Sequence, residues 1–373
     1  MNPILYTVIM TILWIANLLN DSGLGQVYQT TQKFRLLIIF IFLLIVIFKF
    51  AKNKKIILQK KDMFIFGGMF FIFGSISYLT GNKQSGLNYL YVFLLIYVMS
   101  KIEVKEFAAR FVGITYLCLG MGVLYIYGHS AILSGWNGNT IGMLGFYSFL
   151  IFLIQFYDTK NIKSKVLILI VTLLYINLIG TTDSRSSIFF AVLTVLFALS
   201  FISRDFIIAS PNRYYFWLLI PLIVAIIVVI FSKGSYMQLL NHWSIAHFKK
   251  PIFNGRDELW DTGFKLFKAH FFIGTGSLKG NWHNCIISIL TTYGLMGTVC
   301  WILSFQNILK KGYQWINDTI ICGCTITFLM MFIQQSVELG LLAENPNLLP
   351  YIVLGMMLGR VKYLNNSLEE RHD

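Results

Sequence analysis

The sequence predicts an all-α polytopic membrane protein. Three observations predict this fold: the composition, a series of apolar runs and the placement of the basic residues. Of the 373 residues, 57% are hydrophobic and 12% are charged. Soluble domains average about 45–50% hydrophobic and about 25% charged residues. Because a soluble interior cannot hold so much apolar surface, most of this chain is expected to face lipid. An ordinary cytosolic enzyme, a disordered tail and a disulfide scaffold are thereby excluded.

The apolar runs predict about twelve transmembrane helices joined by mostly short loops. The first run follows no basic segment and precedes no small-residue cleavage site, so we expect it to stay in the protein as a helix rather than act as a signal peptide. The predicted spans are residues 3–19, 36–51, 63–80, 88–100, 111–128, 141–157, 166–181, 188–203, 217–232, 284–305, 318–338 and 348–362.

The basic residues predict the orientation of these spans. With the N-terminus in the cytoplasm, every second loop is cytoplasmic, and those loops are rich in lysine and arginine. The short loops on the other side carry only Lys33, Arg35, Lys83 and Arg185. Since lysine and arginine in short loops mark the cytoplasmic side, both termini are expected there. The same rule accounts for the net charge of +14 without a nucleic-acid partner.

One long polar connection divides the chain into three parts. Residues 233–283 follow the ninth span and are predicted to lie on the external side. Loops longer than about 12–15 residues are usually functional or disordered. The predicted organisation is therefore nine spans in 1–232, a large external loop in 233–283, and three spans with a cytoplasmic tail in 284–373.

An amphipathic helix is predicted within this external loop. Asn254 is the predicted N-cap, and Asp257 and Glu258 are acids in the first turn. Charged residues take the side opposite to the apolar ones, so the helix is expected to lie on the membrane or on the helix bundle. The apolar residues at helical spacing are Leu259, Trp260, Phe264, Phe267 and Phe271.

Two arginines are candidates for binding an anion. Arg185 lies in a tight turn between two apolar runs, where desolvating a guanidinium costs several kcal/mol unless it finds a partner or reaches water. A role in topology or snorkelling explains it equally well. Arg256 opens the amphipathic helix, where the alternative is a solvated charge that pairs weakly with Asp257 or Glu258.

His283 is the candidate proton acceptor. It lies where the long loop meets the tenth span, and histidine titrates closer to neutral pH than other side chains. The alternative is a structural histidine at the membrane interface. Cys285 follows two residues later, but a thiol just inside a span is poorly placed to act as a nucleophile.

Metal and nucleotide chemistry receive little support from the sequence. The glycine-rich segment 274–280 lacks both the Walker spacing and a preceding strand, so its glycines are expected to form a tight turn that brings His283 near the membrane. The loop histidines have no zinc-helix spacing, and no Asp-x-Asp motif occurs. Glu338 is the main acid within an apolar run, which disfavours an ion-coupled transporter.

Taken together, these residues resemble the bacterial O-antigen polymerase and ligase family, the Wzy-type polymerases and their ligase relatives. The resemblance is best between about 170 and 305. Two positions depart from it: Ser186 stands where the family often has glycine, and Phe271 where it often has proline. The matching motifs, in order, are Asp183-Ser184-Arg185, Gly255-Arg256-Asp257-Glu258-Leu259-Trp260, His270, Gly274-Thr275-Gly276, His283-Asn284 and Gly294-Leu295-Met296-Gly297.

The resemblance implies a glycosyltransferase that needs no metal or other cofactor and works at the outer face of the bacterial cytoplasmic membrane. Its donor would be a sugar linked to polyprenyl diphosphate. Arg185 and Arg256 would clamp the diphosphate, and His283 would deprotonate the acceptor hydroxyl so that the anomeric carbon is inverted. Secondary candidates are Asn284 to orient the histidine or a substrate oxygen, Lys265, Lys268 and Lys279 for the diphosphate, and Trp260, Trp282 and Trp243 for sugar stacking.

The acceptor distinguishes two closely related activities, and no motif identifies it. A polymerase would extend a second lipid-linked repeat unit into O-antigen, capsule or exopolysaccharide, and a ligase would transfer the glycan to a lipid or protein. Partners would be membrane lipid, a flippase and a chain-length regulator. Two other classes remain open. A flippase would need coupling charges within its spans, and an assembly protein would tolerate loss of the candidate residues.

Overall fold

The computed structural model describes residues 3–21, 74–76, 78–79, 83–133, 135–157, 160–182, 184–248, 251–253, 255–277, 280, 282–341 and 346–372. In these residues the chain is helical and contains no strand. Short 3-10 turns cover Ala131–Leu133, Ile154–Phe156 and Gly180–Thr182. The α-helices are α1 (Pro3–Asp21), α2 (Lys83–Ser100), α3 (Glu106–His129), α4 (Gly138–Leu153), α5 (Ile162–Ile179), α6 (Arg185–Ala198), α7 (Asp205–Ile208), α8 (Arg213–Ser232), α9 (Ser235–Phe248), α10 (Arg256–Ala269), α11 (Cys285–Tyr313), α12 (Thr319–Gln334) and α13 (Leu349–His372).

The prediction of an all-helical membrane protein is confirmed. Within the described ranges, five helices are long and apolar enough to cross a membrane. They are α3, α4 extended to Phe156, α5 extended to Thr182, α8 and α11. Shorter apolar helices are α1, α6 and α12. The predicted span at 36–51 and most of the one at 63–80 lie outside the described residues. The number of twelve spans and the external position of the loop stay predictions.

The centre of the bundle is formed by α4 and α12. All residues from Ile141 to Leu153 and from Ile320 to Gln334 are buried, so these two helices are enclosed by protein on every side. A helix that is apolar all round belongs in such a position. In contrast, only 22% of the residues in the most apolar stretch of Ile162–Thr182 are buried, and 28% of those in the corresponding stretch of α8. Both helices therefore lie at the lipid-facing surface.

An ion pair closes the bundle at the beginning of α12. Arg360 of α13 bonds Asp318 with Nη2 2.7 Å from Oδ2, and the guanidinium is almost fully buried. Lys362 reinforces this end by donating to the carbonyl of Lys101 over 2.8 Å. Because Asp318 precedes α12 and Glu338 follows it, this pair marks the end of the bundle opposite to Glu338.

The predicted amphipathic helix of the long loop is α10, and one of its faces packs on the bundle. Trp260 is 1% exposed, and Gly263 allows α10 to approach Ile287 of α11 closely. The helix begins one position later than expected. Gly255, with φ 80°, stands at the N-cap, so the prediction of Asn254 as N-cap is wrong; Asn254 itself lies outside the described residues.

Helix α11 is broken at Gly294, where the backbone has φ 65° and ψ −163°. A break leaves carbonyls before it and N–H groups after it without helical partners. The segment 271–277 supplies these partners by folding against the break. The bonds are Thr275 N–H to Thr291 O (2.8 Å), Gly276 N–H to Thr292 O (2.7 Å), Leu295 N–H to Phe271 O (2.8 Å) and Met296 N–H to Phe272 O (3.2 Å).

Two glycines make this contact between backbones possible. Gly274 and Gly294 both have positive φ, 69° and 65°, which side chains disfavour. A Cβ on Gly274 would lie 2.4 Å from the Thr292 carbonyl, and one on Gly294 would lie 2.4 Å from the Phe272 carbonyl. The glycine-rich motif of the loop therefore covers a broken transmembrane helix.

Candidate functional site

Three distant parts of the chain converge on the carboxylate of Glu338, which follows α12 and is buried. Arg256 Nη2 lies 3.3 Å from Oε1. Ser186 Oγ donates to the same oxygen over 3.0 Å. His283 Nδ1 lies 3.9 Å from Oε2. The first turn of α6, the beginning of α10 and the residue preceding the N-cap of α11 thus meet at one acid.

The backbone around His283 is fixed against the segment that carries Glu338. Cys285 N–H donates to the Gln335 carbonyl over 3.0 Å. Asn284 Nδ2 donates to the Ser336 carbonyl, also over 3.0 Å. The two segments run past each other in opposite directions, so His283 comes to face Glu338.

The turn that places Glu338 is held by the buried side chain of Gln335. Its Oε1 accepts from the N–H groups of Gly340 (2.7 Å) and Leu341 (2.8 Å), and its Nε2 donates to Tyr147 Oη over 2.7 Å. These bonds connect the chain on both sides of Glu338 to the central helix α4. The carboxylate is therefore presented by a fixed turn rather than by a free loop.

Asn284 is a structural residue at the N-cap of α11. Its Oδ1 accepts from the N–H groups of Ile286 (3.0 Å) and Ile287 (3.1 Å). Its Nδ2 donates to the Pro221 carbonyl of α8 over 2.8 Å and to Ser336. The side chain is fully buried and uses both donors and both acceptor sites. It positions its neighbour His283 through the backbone, and no bond is left for a substrate oxygen.

His283 has an unusual backbone and a half-open side chain. Its φ of 47° lies in the left-handed region, which non-glycine residues seldom adopt outside turns and functional sites. The side chain is 34% exposed. Nδ1 is buried without a hydrogen-bond partner among the described residues, because 3.9 Å to Glu338 exceeds hydrogen-bond length. Nε2 is therefore the nitrogen that can meet a substrate.

The environment favours a neutral imidazole. Burial lowers the pKa of His283, and the positive charge of Arg256 lowers it further. Burial raises the pKa of Glu338, whereas Arg256 and the Ser186 hydroxyl act in the opposite direction. Since a histidine can accept a proton only when neutral, these shifts suit His283 to act as a base near neutral pH.

Arg185 lies at the first position of α6, beside this cluster, and is exposed. The first turn of α6 is tied to the end of α12: Ser184 and Ser187 share a hydrogen bond of 2.8 Å, and Gln334 Nε2 donates to Ser187 Oγ over 3.0 Å. With Ser186 bonded to Glu338, Arg185 stands at the rim of the site. Of the sequence-predicted residues, Arg256 and His283 thus meet at Glu338, and Arg185 directly precedes Ser186, which binds the same carboxylate.

The chain was compared with protein-family models and with curated proteins. Residues 166–302 match the Wzy_C family model, described as O-antigen ligase. This match confirms the family resemblance for that segment. None of the curated proteins compared with the chain is a significant match. The matched segment contains Arg185, Arg256 and His283, whereas Glu338 lies beyond it.

The family match and the apolar helices together indicate a multi-pass membrane protein. The O-antigen ligase family implies glycosyl transfer with lipid-linked glycan substrates. Within the ranges that the structure describes, no group of three or more His, Cys, Asp or Glu side chains is arranged to hold a metal ion.

Two lysines predicted as secondary anion ligands, Lys265 and Lys268, lie on the exposed side of α10. Lys265 is 75% exposed and pairs with Asp261, Nζ to Oδ2 2.6 Å. Asp261 also binds Lys233 over 3.0 Å. Lys268 is exposed in the last turn of α10, and Lys279 lies outside the described residues. The geometry thus favours Arg256 over Lys265 and Lys268 as a ligand.

Two of the three tryptophans predicted for sugar stacking, Trp260 and Trp282, are buried packing residues. Trp260 is 1% and Trp282 is 9% exposed, and Trp260 Nε1 donates to the Trp282 carbonyl over 2.6 Å. Both belong to a cluster with Val229 and Ile287. Trp243 of α9 is half exposed. Packing, rather than sugar stacking, is the role that this geometry gives to Trp260 and Trp282.

Glu338 and Ser186 were missed as site residues by sequence reasoning. Glu338 stood out only as an acid at the end of an apolar run, and Ser186 only as a departure from the family pattern. The first signal was sufficient in principle, because an acid at such a place must find partners. The identity of those partners required the fold.

Proposed function

We propose that this protein polymerises polyprenyl-diphosphate-linked oligosaccharide repeat units into a surface polysaccharide. The transfer is inverting, needs no metal ion and takes place on the outer face of the cytoplasmic membrane. The observation that carries the proposal is the convergence of His283 and Arg256 on Glu338, beside Arg185. A base and two cations at one partly open site suit transfer from a diphosphate leaving group.

His283 acts as the general base. The hydroxyl of the acceptor sugar gives its proton to Nε2 while its oxygen forms a bond to the anomeric carbon of the donor. The bond from that carbon to the diphosphate oxygen breaks on the opposite face, which inverts the configuration. A general base of this kind contributes about 100–10,000-fold to a rate.

Glu338 positions the imidazole and stabilises it once it is protonated. In the neutral ring, Nδ1 carries the proton and points towards Oε2 over 3.9 Å. When Nε2 takes the acceptor proton, the positive ring faces a carboxylate that Ser186 and Arg256 hold in place. A small rotation of His283 closes the remaining gap to hydrogen-bond length.

Arg256 and Arg185 bind the diphosphate of the donor. Charge accumulates on the diphosphate oxygens as the glycosidic bond breaks, and a guanidinium placed there stabilises the transition state. Arg256 has its Nη2 on Glu338, and the rest of its planar fork stays available for phosphate oxygens. Arg185 at the rim is placed to take a second phosphate oxygen.

One observation favours a second candidate, the ligase reaction. The matching family model is described as O-antigen ligase, and a ligase needs the same base and the same diphosphate clamp. The composition of the chain supports the polymerase by association. It is rich in Lys, Ile, Asn and Phe, which is typical of AT-rich genomes. Many bacteria with such genomes form capsules and have no lipid core. The acceptor separates the two reactions.

The transporter alternative fits the geometry less well. A coupled flippase places several ionisable groups near the middle of its spans. Along the central helix α12, the acidic groups Asp318 and Glu338 flank the helix instead. An assembly protein without catalysis gives no reason for a buried acid that gathers a histidine and an arginine.

The two reactions are distinguished by supplying the protein with each candidate acceptor. Purified protein in liposomes receives a defined lipid-diphosphate repeat unit, with or without a lipid core oligosaccharide, and His283→Ala serves as the background control. A ladder of products from wild type in the absence of the core establishes the polymerase. Transfer that appears only after the core is added establishes the ligase. If wild type forms neither product, the polymerase and the ligase proposals are both contradicted.

A further inference from the structure

Helix α9 presents an apolar stripe to the outside of the protein. The stripe consists of Tyr236, Leu239, Leu240 and Trp243, which are 83%, 76%, 46% and 53% exposed. Their spacing places them on one face of the helix. Ser244, on the adjoining side, is buried at 3%, so α9 is seated against the protein with the stripe turned away.

The stripe continues the lipid-facing surface of α8. The last turns of α8 expose Ile227, Ile230 and Phe231, which are 48%, 64% and 63% accessible on a helix apolar enough to span the membrane. Lys233 and Gly234 alone separate the end of α8 from the beginning of α9. The stripe therefore starts at the level where a membrane-spanning helix leaves the hydrocarbon.

The side chains and charges of this region suit a lipid surface. Tyrosine and tryptophan concentrate at the boundary between acyl chains and headgroups, where one end of the ring is apolar and the other polar. Residues 233–256 contain Lys233, Lys249, Lys250 and Arg256 and no acidic residue. Such a segment is attracted to anionic headgroups.

We propose that α9 is an interfacial helix that docks into the lipid leaflet through this stripe. Its partner is the anionic lipid surface, with the rings of Tyr236 and Trp243 at headgroup level and Leu239 in the acyl boundary. This gives the long loop a membrane contact of its own, in addition to those of its two flanking helices. In this account α9 lies on the membrane and α10 lies on the bundle.

The docking has a consequence for the site, and this part rests on the proposed function. Asn241 of α9 accepts with Oδ1 from the N–H of Ile252 over 3.1 Å. Arg256 N–H in turn donates to the Phe253 carbonyl over 3.0 Å. The depth of α9 thus sets the height of Arg256, which must meet a diphosphate located at the headgroup level.

The depth of α9 is measured without reference to activity. In the full-length protein, the two cysteines that are not buried are replaced (Cys118→Ser and Cys300→Ala) and a nitroxide is attached at Leu239→Cys. A second protein carries the label at Lys265→Cys, on the exposed side of α10. Both are placed in nanodiscs with anionic lipids, and the collision rates with oxygen and with a water-soluble nickel chelate are compared.

We expect the label at 239 to collide with oxygen and to be shielded from the chelate, and the label at 265 to show the reverse. Equal chelate access at both positions overturns the proposal. Dipolar broadening between labels at 239 reveals a second copy of the chain on the stripe and also overturns it. Shielding that appears only after the lipid-linked donor is added assigns the stripe to the donor's polyprenyl tail. That result overturns the proposal as well.

The link to the site has its own test. Leu239→Asp should raise the KM for the lipid-linked donor roughly tenfold with little change in kcat, whereas Thr262→Ala, at an exposed position of α10, should change neither. If the stripe is shielded but Leu239→Asp leaves KM unchanged, α9 docks without setting the height of Arg256. If wild type makes no product, the proposed function fails while the depth measurement still stands.

Discussion

Glu338 and His283 face each other at 3.9 Å, Oε2 to Nδ1, at a site that Arg256 and Ser186 complete. The acid belongs to the turn after α12 and the histidine to the residue before the N-cap of α11. Their relationship is set by hydrogen bonds of neighbouring residues, Cys285 N–H to the Gln335 carbonyl and Asn284 Nδ2 to the Ser336 carbonyl.

The charge of Glu338 supports the protonated state of His283. Glu338→Gln keeps the shape of the side chain and removes the charge, so kcat should fall about 10–100-fold, less than the full contribution of a general base. Donor KM should change little, since Arg256 keeps its place. Steady-state kinetics in liposomes at matched protein levels measure this; full activity of the amide variant would show that the carboxylate charge has no role.

The pH dependence of the reaction should report the lowered pKa of His283. The base is neutral above its pKa and protonated below it, so activity should be present at neutral pH and fall as the pH drops through that lowered pKa. Removing the charge with Arg256→Gln should raise the pKa and move this acidic limb to higher pH. Arg256→Lys retains the charge and should leave the limb in place even if the rate falls.

The hydroxyl of Ser186 should matter through Glu338. Ser186→Ala removes a hydrogen bond to a charged group, an interaction of about 1.5–3 kcal/mol, and we expect kcat to fall about tenfold without loss of folded protein. Ser186→Thr restores a hydroxyl at the same place and should recover most of the activity. A Ser186→Ala variant with wild-type kcat would separate Ser186 from the site.

The break in α11 should depend on its glycines. Gly294→Ala places a Cβ in contact with the Phe272 backbone at a residue with positive φ, so we expect a loss of several kcal/mol of stability. The thermal unfolding midpoint in detergent measures it. Gly122→Ala is the matched control, because a Cβ there meets no atom within 4 Å and a helical alanine is favoured. Equal midpoints for both variants would contradict the account.

Much of the architecture follows from hydropathy. The chain's apolar runs predict helices, and the described helices other than α7, α9 and α10 overlap the predicted spans. This agreement arises because the bilayer thickness sets the length of a spanning helix and therefore of its apolar run. The side of α10 that is buried was not predictable in detail. An amphipathic pattern shows that one face avoids water, but it does not say whether membrane lipid or Ile287 covers Trp260.

The site could be predicted in part. Arg256 and His283 stand in motifs that resemble a known family, and each is a residue type with chemistry of its own. Glu338 joins them across separations of 82 residues to Arg256 and 152 to Ser186. Such pairing depends on how α11 and the segment after α12 lie side by side, and no local pattern encodes that arrangement.

The central claim is tested most directly by the release of lipid diphosphate from a defined donor in liposomes. Wild type, His283→Ala, Arg256→Ala and Lys265→Ala are compared at equal amounts of folded protein. We predict a loss of about 100-fold or more for the first two variants and wild-type turnover for Lys265→Ala. Release that persists unchanged in both His283→Ala and Arg256→Ala would contradict the assignment of the site.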